Sequence, residues 1–249
     1  MKYLRFIPTL LIAAVLFSGC AASQGASNSK APASAASKPS PKKKDDGPKK
    51  FSEVIKDDFV KDEGVFNIYR DSEKYYYEIP DAELGEEFLL VTRIAKTADN
   101  IGYGGQKANT QVVRWDRRGD KIDLKMVGYE NRGEEGDPIY HAVRNSNLEP
   151  IIKSFDIAAL NADTTGVVID ATSLFTSDVP ALGLQSGRRS QYQVRRVDAG
   201  RTYITSAKSF PTNIEVRHVL TYEANKAPSN ASSNSITVEM AQSMVELPK

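Results

Sequence analysis

The sequence is poor in the side chains from which most catalytic and metal sites are built. It contains one cysteine and two histidines among 249 residues. A single cysteine excludes an internal disulfide framework and a cysteine-based zinc cluster. His141 and His218 lie far apart in the chain and belong to no H-E-x-x-H motif, and each is expected on a strand as a structural residue. The sequence therefore predicts a chain with no catalytic, cofactor-binding or metal-binding residue of its own.

Other motifs of enzyme chemistry are incomplete. Residues 183–187 have the wrong spacing for a nucleophile elbow, and the glycines of 102–105 lead into a strand instead of a phosphate-binding helix. The acidic residues of 134–137 lack the alternating spacing of a calcium loop, so a solvated turn is the favoured interpretation. Each of these segments is expected to be a turn or a connector.

The net charge is also small, because 33 basic residues are balanced by 32 acidic ones. The two parts of the chain nevertheless differ in sign. Residues 1–50 carry a net charge of +7, and residues 51–249 carry a net charge of −6. An acidic body argues against nucleic-acid binding, which needs a basic surface to neutralise phosphates. The local arginine pairs at 188–189 and 195–196 are either solvated or a contact for an acidic partner.

No hydrophobic run is long enough for a transmembrane helix, which needs about 20 apolar residues. Residues 6–17 are mostly apolar and follow Lys2 and Arg5, so residues 1–19 are predicted to be a signal peptide. The next residue is Cys20, preceded by Leu-Phe-Ser-Gly, which resembles the bacterial lipobox although Phe17 departs from it. We expect Cys20 to be acylated as a membrane anchor; the alternative is an ordinary secretory signal with an incidental cysteine.

Residues 20–50 are expected to be the acylated cysteine and a disordered tether. Residues 21–50 are mainly Ala, Ser, Pro and Lys, and they contain no aromatic, Val, Ile, Leu or Met residue. Such a segment cannot bury enough surface to offset the entropy of ordering it.

The body reads as mainly β. An apolar stripe predicts one short amphipathic helix over residues 51–60, and short runs of alternating apolar residues between turns then predict antiparallel sheets in a meander. Residues 117–120 and 198–201 are predicted hairpin turns, and residues 139–143 and the last segment, 236–248, are predicted strands. We expect a small α+β domain at 51–100 and a β-rich domain at 101–249, cut short at its C-terminal end.

Several segments of the body resemble one family of proteins. They are residues 51–97 (including Lys-Asp-Glu-Gly-Val-Phe at 61–66 and Tyr-Glu-Ile-Pro at 77–80), 104–115, 201–204, 209–216 and 243–248. Together these segments are similar to the N-terminal part of bacterial zinc-dependent, metzincin-like metalloproteases, whose first two domains are of unknown function. The resemblance implies a zinc-binding peptidase domain downstream, so zinc is expected there and no zinc ligand can be assigned in this chain.

Two functions follow as hypotheses. The first is a non-catalytic N-terminal region of an envelope-anchored zinc metalloprotease, which packs on, orients or restrains the downstream peptidase domain. The alternative is a stand-alone lipoprotein that binds a protein or a cell-wall ligand. Either would be held at a membrane through Cys20, with the bacterial outer membrane facing the periplasm as the expected location.

Overall fold

The computed structural model describes residues 47–129, 136–228 and 233–248. Cys20, the signal peptide and most of the tether lie outside the described residues. The helices are α1 (Phe51–Val54), α2 (Tyr140–Ser146), α3 (Thr172–Thr176) and α4 (Ser186–Gln191). The strands are β1 (Val60–Asp62), β2 (Asn67–Asp71), β3 (Lys74–Pro80), β4 (Glu87–Thr97), β5 (Lys107–Arg118), β6 (Lys121–Val127), β7 (Ile151–Leu160), β8 (Gly166–Asp170), β9 (Val194–Val197), β10 (Tyr203–Ser209), β11 (Asn213–Ala224) and β12 (Ser235–Glu246).

The strands form one antiparallel sheet in the order β1-β2-β3-β8-β7-β6-β5-β4-β12-β11-β10, and β9 also pairs with β11. The mainly β, antiparallel fold class is confirmed. Long strands such as β4 and β12 bury alternate side chains, because successive residues point to opposite faces of a sheet. One face is therefore apolar along most of the sheet.

The sheet curls until its two edges meet. The carboxylate of Asp62 on β1 accepts the backbone N–H of Ser209 at 2.9 Å and pairs with Lys208 Nζ at 2.9 Å. The Ser209 hydroxyl donates to Phe66 O at 2.6 Å, and Val65 N donates to Phe210 O at 2.8 Å. These bonds occupy part of the edge of β10, which would otherwise present unpaired backbone groups.

An aromatic core fills the inside of the curled sheet. Phe66 contacts Tyr77, Phe88 and Trp115 edge-on, with ring centroids 5.6–6.1 Å apart, and Trp115 packs on Phe155 at 5.8 Å. All are buried. Removing such a side chain costs about 3–5 kcal/mol, so this cluster is a main source of stability.

A connection between β8 and β9 packs against the inner face of the sheet, where buried side chains of β4, β11 and β12 hydrogen-bond to it. It contains α3, a 3-10 turn at Pro180–Leu182 and α4, and it buries Leu174, Phe175, Leu182 and Leu184 against the interior. We call residues 171–191 the plug segment. Among the described residues, no helix is long and apolar enough to span a membrane.

The predictions for two segments that contain helices need correction. The helix expected over 51–60 is one turn, α1, because Val60 begins β1 and pairs with Arg70 of β2. Residues 139–143, expected as a strand, instead begin α2, where Val143 N donates to Ile139 O at 2.9 Å. A β-branched run this short cannot distinguish the two structures, since local hydrogen bonds decide.

One of the two predicted hairpin turns also needs correction. Residues 198–201 are not a hairpin turn, because β9 and β10 run in the same direction along one edge of β11. Asp198 makes a local turn there by accepting the N–H of Gly200 at 3.0 Å. The strand predicted over 236–248 is confirmed as β12, and it is central in the sheet, since β11 pairs on one side of it and β4 on the other. The hairpin at 117–120 is confirmed, with Gly119 at φ 61°.

The ranges 51–100 and 101–249, expected as two domains, share one sheet. Strand β4 of the first range lies between β5 and β12 of the second, and β3 pairs with β8. The described residues fall within one compact unit, Asp45–Lys249. Pairing across the two ranges makes their strands parts of the same hydrogen-bonded structure.

Candidate binding groove

A groove of about 950 Å³ opens between the sheet and the plug segment. One wall is formed by β5, the end of β6 and the start of β7, and the other by residues 179–190. We call this space the β5 groove. Its sheet wall includes Asn109, Gln111, Met126 and Ile151, and its plug wall includes Gln185 and Gly187.

The groove lies where the sheet is incomplete. Strand β6 pairs with β5 only as far as Val127, which lies opposite Val112. The preceding residues of β5, Asn109 to Gln111, pair with β4 on one side, and Ala108 to Gln111 have no strand partner on the other side among the described residues. A skipped residue at Ala108 also breaks the β4–β5 register at this point, as a β-bulge does. Among the described strands, the sheet therefore has an internal edge, which borders the groove.

Backbone groups of β5 face this internal edge. Met126 donates its N–H to Pro150 O at 2.9 Å on the β7 side, so the backbone of its neighbour Val127 faces Val112 on β5. Because hydrogen-bonding direction alternates along an antiparallel strand, the N–H and C=O of Thr110 face the same side as those of Val112. The N–H and C=O of Thr110 therefore point to the position that β6 would occupy if it continued beyond Val127.

Side chains satisfy part of this edge. Gln185 of the plug segment donates its Nε2 to Ala108 O, and Asn109 Oδ1 accepts the N–H of Thr110 at 2.9 Å. Gln111 is one of the residues of the groove wall, and its Nε2 atom is buried without a hydrogen-bond partner. Buried polar groups normally find partners, so this wall has hydrogen-bonding capacity to spare.

The groove is nearly uncharged. Among the described residues that line it, the one ionisable side chain is Arg189, whose guanidinium is paired with both oxygens of Asp178 at 2.7 Å and lies 5.3 Å from the ring of Tyr222. Apolar side chains are exposed within it, with Met126 at 36% and Ile151 at 50%. Its surface therefore suits an uncharged, partly apolar ligand.

A buried polar network holds the plug wall in place. Gln242 on β12 donates to Leu182 O at 2.8 Å and to His218 Nε2 at 3.1 Å, and its Oε1 accepts the Thr92 hydroxyl at 2.5 Å. His218 Nδ1 lies 2.8 Å from Phe175 O, which can only accept, so Nδ1 carries the proton. Burial lowers the pKa of His218 to about 4, so the ring is neutral at pH 7.

The candidate residues of the sequence do not meet in this groove. His218 is buried in the network behind it, and His141 is exposed on α2. In the described parts of the chain, no three His, Cys, Asp or Glu side chains are grouped as a metal site would need. The prediction for Cys20 lies outside the described residues.

The arginine pairs do not form one basic patch. Arg188 donates to Ile101 O and to Gln106 at 3.0 Å, whereas Arg195 and Arg196 both pair with Glu223, at 2.6 and 2.8 Å. With Arg189 paired to an aspartate as well, each of these cations already has a partner in the fold.

Sequence reasoning missed the groove residues, although β5 carries a signal for them. Its inward positions change from the buried Val113 and Trp115 to the polar Asn109 and Gln111 within one strand. Such a change from apolar to polar marks the point where an inward face leaves the core. The sequence could not show that β6 stops opposite this point.

Comparison with known proteins gives a family without an assigned role. Residues 105–249, more than half of the chain, match the family of a domain of unknown function, DUF5117. The chain belongs to this family. Residues 48–97 match a second domain of unknown function, DUF5118. No curated protein and no solved structure matches the chain. Every residue of the β5 groove lies within the DUF5117 region.

Proposed function

We propose that this DUF5117 protein is a non-catalytic binding module, the N-terminal region of an envelope-anchored zinc metalloprotease. In this proposal it docks onto the downstream peptidase domain and orients or restrains it. The β5 groove is the observation that carries the proposal. It combines an incomplete sheet, exposed apolar side chains and neutral polar groups in one concave surface.

Such a surface fits a protein segment better than a charged ligand. Pockets for small molecules are usually enclosed and apolar, with a few convergent polar groups. This groove is an open trough beside a strand edge, and Arg189, the one cation among its described residues, is already neutralised by Asp178. Strand edges are surfaces to which other chains add.

The proposed anchor places the module near a membrane. An acylated Cys20 would attach to the outer membrane, and a tether of 30 residues has an r.m.s. span of about 30 Å as a flexible coil. The module and any peptidase domain joined to it would then act close to the membrane surface.

The first test is the mass of the native polypeptide. It is extracted from the cell envelope with detergent and detected through a peptide of the body, residues 209–217. We expect a lipidated species much heavier than the 27.4 kDa of this chain, containing a zinc peptidase domain. A lipidated species of this chain's own mass would contradict the protease assignment and favour the stand-alone binding lipoprotein.

A groove variant tests the role of the module in that longer protein. A Cβ added at Gly187 meets no atom within 4 Å, so Gly187→Trp can fill the groove without a clash of its Cβ. If the groove holds the peptidase domain, this substitution releases the contact and changes peptidase activity or protection from hydrogen exchange. Unchanged activity and unchanged exchange would refute docking through the groove. Gly47→Trp, also in open space, is the matched control.

A further inference from the structure

We propose that the β5 groove binds its partner as an added β-strand. An extended, uncharged peptide segment would align with β5 from Ala108 to Gln111 and occupy the place that β6 leaves after Val127. This inference deepens the proposed function, on which it rests, by naming the chemistry of the docked segment. The segment is recognised through its backbone and its alternating side chains.

The backbone geometry supplies the register. The N–H and C=O of Thr110 point toward the groove, as do those of Val112, which already pair with Val127. A strand that continues the line of β6 would therefore pair with Thr110 as Val127 pairs with Val112. The open stretch from Ala108 to Gln111 is about 13 Å long in an extended strand, enough for a segment of about four residues.

Side chains now stand where the backbone of the peptide would lie. Gln185 Nε2 donates to Ala108 O, as a peptide N–H would, and Asn109 Oδ1 accepts from Thr110 N, as a peptide C=O would. Binding would exchange each of these bonds for a backbone bond of the same kind. The number of satisfied groups on β5 is conserved, and the released amides can bond to water.

The groove also selects the side chains of the segment. Those that point to the sheet wall would contact Met126 and Ile151, which are exposed. A charged side chain would find no free counter-ion among the described residues of the groove, because the Arg189 guanidinium is paired with Asp178 through both oxygens. A segment with alternating small apolar and neutral polar residues fits this surface.

The outer edge of the sheet does not offer an equivalent site. On β10 the backbone N–H of Ser209 is accepted by Asp62, and Lys208 pairs with the same carboxylate. A strand added there would have to break a charged pair, whereas at β5 it replaces neutral amides. This difference favours the internal edge.

The test uses a phage-displayed library of random heptapeptides against the full chain. We expect enrichment of uncharged sequences with alternating apolar residues. Thr110→Pro removes the N–H that faces the groove and leaves the β4 side of the strand intact, so it should weaken binding of the selected peptides by about ten-fold. Gly187→Trp, which fills the groove from the other wall, should weaken binding at least as much.

Two comparisons distinguish recognition of the peptide backbone from recognition of its side chains alone. Thr110→Val alters the side chain and keeps the N–H, so its affinity should exceed that of Thr110→Pro by about ten-fold. A selected peptide is also made in two forms, one N-methylated at its odd-numbered residues and one at its even-numbered residues. One of these two forms should lose binding. Gly47→Trp controls for a bulky substitution, and thermal melting checks that each variant is folded.

Three results would overturn the inference. The first is that the wild-type protein enriches no more phage than immobilised Thr110→Pro does. The second is that Thr110→Pro and Thr110→Val bind the selected peptides with equal affinity. The third is that both N-methylated forms of a selected peptide still bind. If these occur while Gly187→Trp still changes peptidase activity in the longer protein, the proposed function stands and only strand addition fails. If the native polypeptide has no peptidase domain but the selected peptides bind as expected, strand addition stands and the protease assignment fails.

Discussion

The buried imidazole of His218 should make the stability of this protein fall as the pH drops from 7 to 5. Burial lowers its pKa in the folded protein to about 4, whereas a histidine in the unfolded chain titrates near 6.5. The folded state therefore stays neutral over this range while the unfolded state takes up a proton. Stability is fully present above the unfolded pKa and is lost as the pH falls toward the folded pKa.

The size of the loss follows from the two pKa values. Between pH 7 and 5 the free energy of unfolding should fall by about 2 kcal/mol, and the loss should approach about 3 kcal/mol near the folded pKa. Carboxylates with lowered pKa values, such as those of Asp123 and Asp116, contribute mainly below this range, because their ordinary pKa is 3.8. The window from pH 7 to 5 thus isolates the histidine.

Urea unfolding followed by Trp115 fluorescence at pH 7, 6 and 5 measures the effect. In His218→Phe the pH-dependent loss should shrink to less than about 0.5 kcal/mol, although the variant starts from lower stability because the bonds to Phe175 and Gln242 are gone. His141→Asn is the control and should keep the full loss, since His141 is exposed. A wild-type curve that is flat from pH 7 to 5, or a loss that persists in His218→Phe, would refute the reasoning.

Three further substitutions probe the same structure by urea unfolding at pH 7. Gln242→Leu leaves the buried Leu182 O and His218 Nε2 unpaired and should cost about 2–5 kcal/mol. The control Gln191→Leu, at an exposed position, should cost less than about 0.5 kcal/mol. Equal losses would show that the buried hydrogen bonds of Gln242 add nothing to stability. Gly183→Ala places a Cβ against the Tyr222 hydroxyl and should cost about 1–3 kcal/mol, whereas a neutral result would mean that the plug shifts freely. Asp123→Asn removes the charge of a buried carboxylate held by an arginine and a serine, and should cost about 1–3 kcal/mol; no change would show that this pair contributes nothing net.

The fold class could be predicted because the pattern that defines it is local. In β6 and β11 apolar and polar residues alternate, and this alternation is fixed by the geometry of a single strand. The turn at Gly119 is equally local, since only a residue that tolerates positive φ closes it easily. Where a segment had no such signature, as at 139–143, the prediction was wrong.

The groove could not be predicted because it depends on where strands end relative to one another. Asn109 and Gln111 look like ordinary strand residues until β6 is seen to stop at Val127. Gln185 bonds to Ala108 of β5 from 77 residues further along the chain, and no local pattern encodes that approach. The proposed relation to a protease family likewise says nothing about a surface on these domains.

By itself the sequence determined the alternation of inward and outward side chains, the turn at Gly119 and the scarcity of histidine and cysteine. Tertiary structure alone decided that β12 is central, that β9 and β10 share one edge of β11, and that His218 is buried and neutral. The physical reason is the range of the interactions. A side chain's direction along a strand is set by its own backbone, whereas pairing, burial and pKa depend on residues that only folding brings into contact.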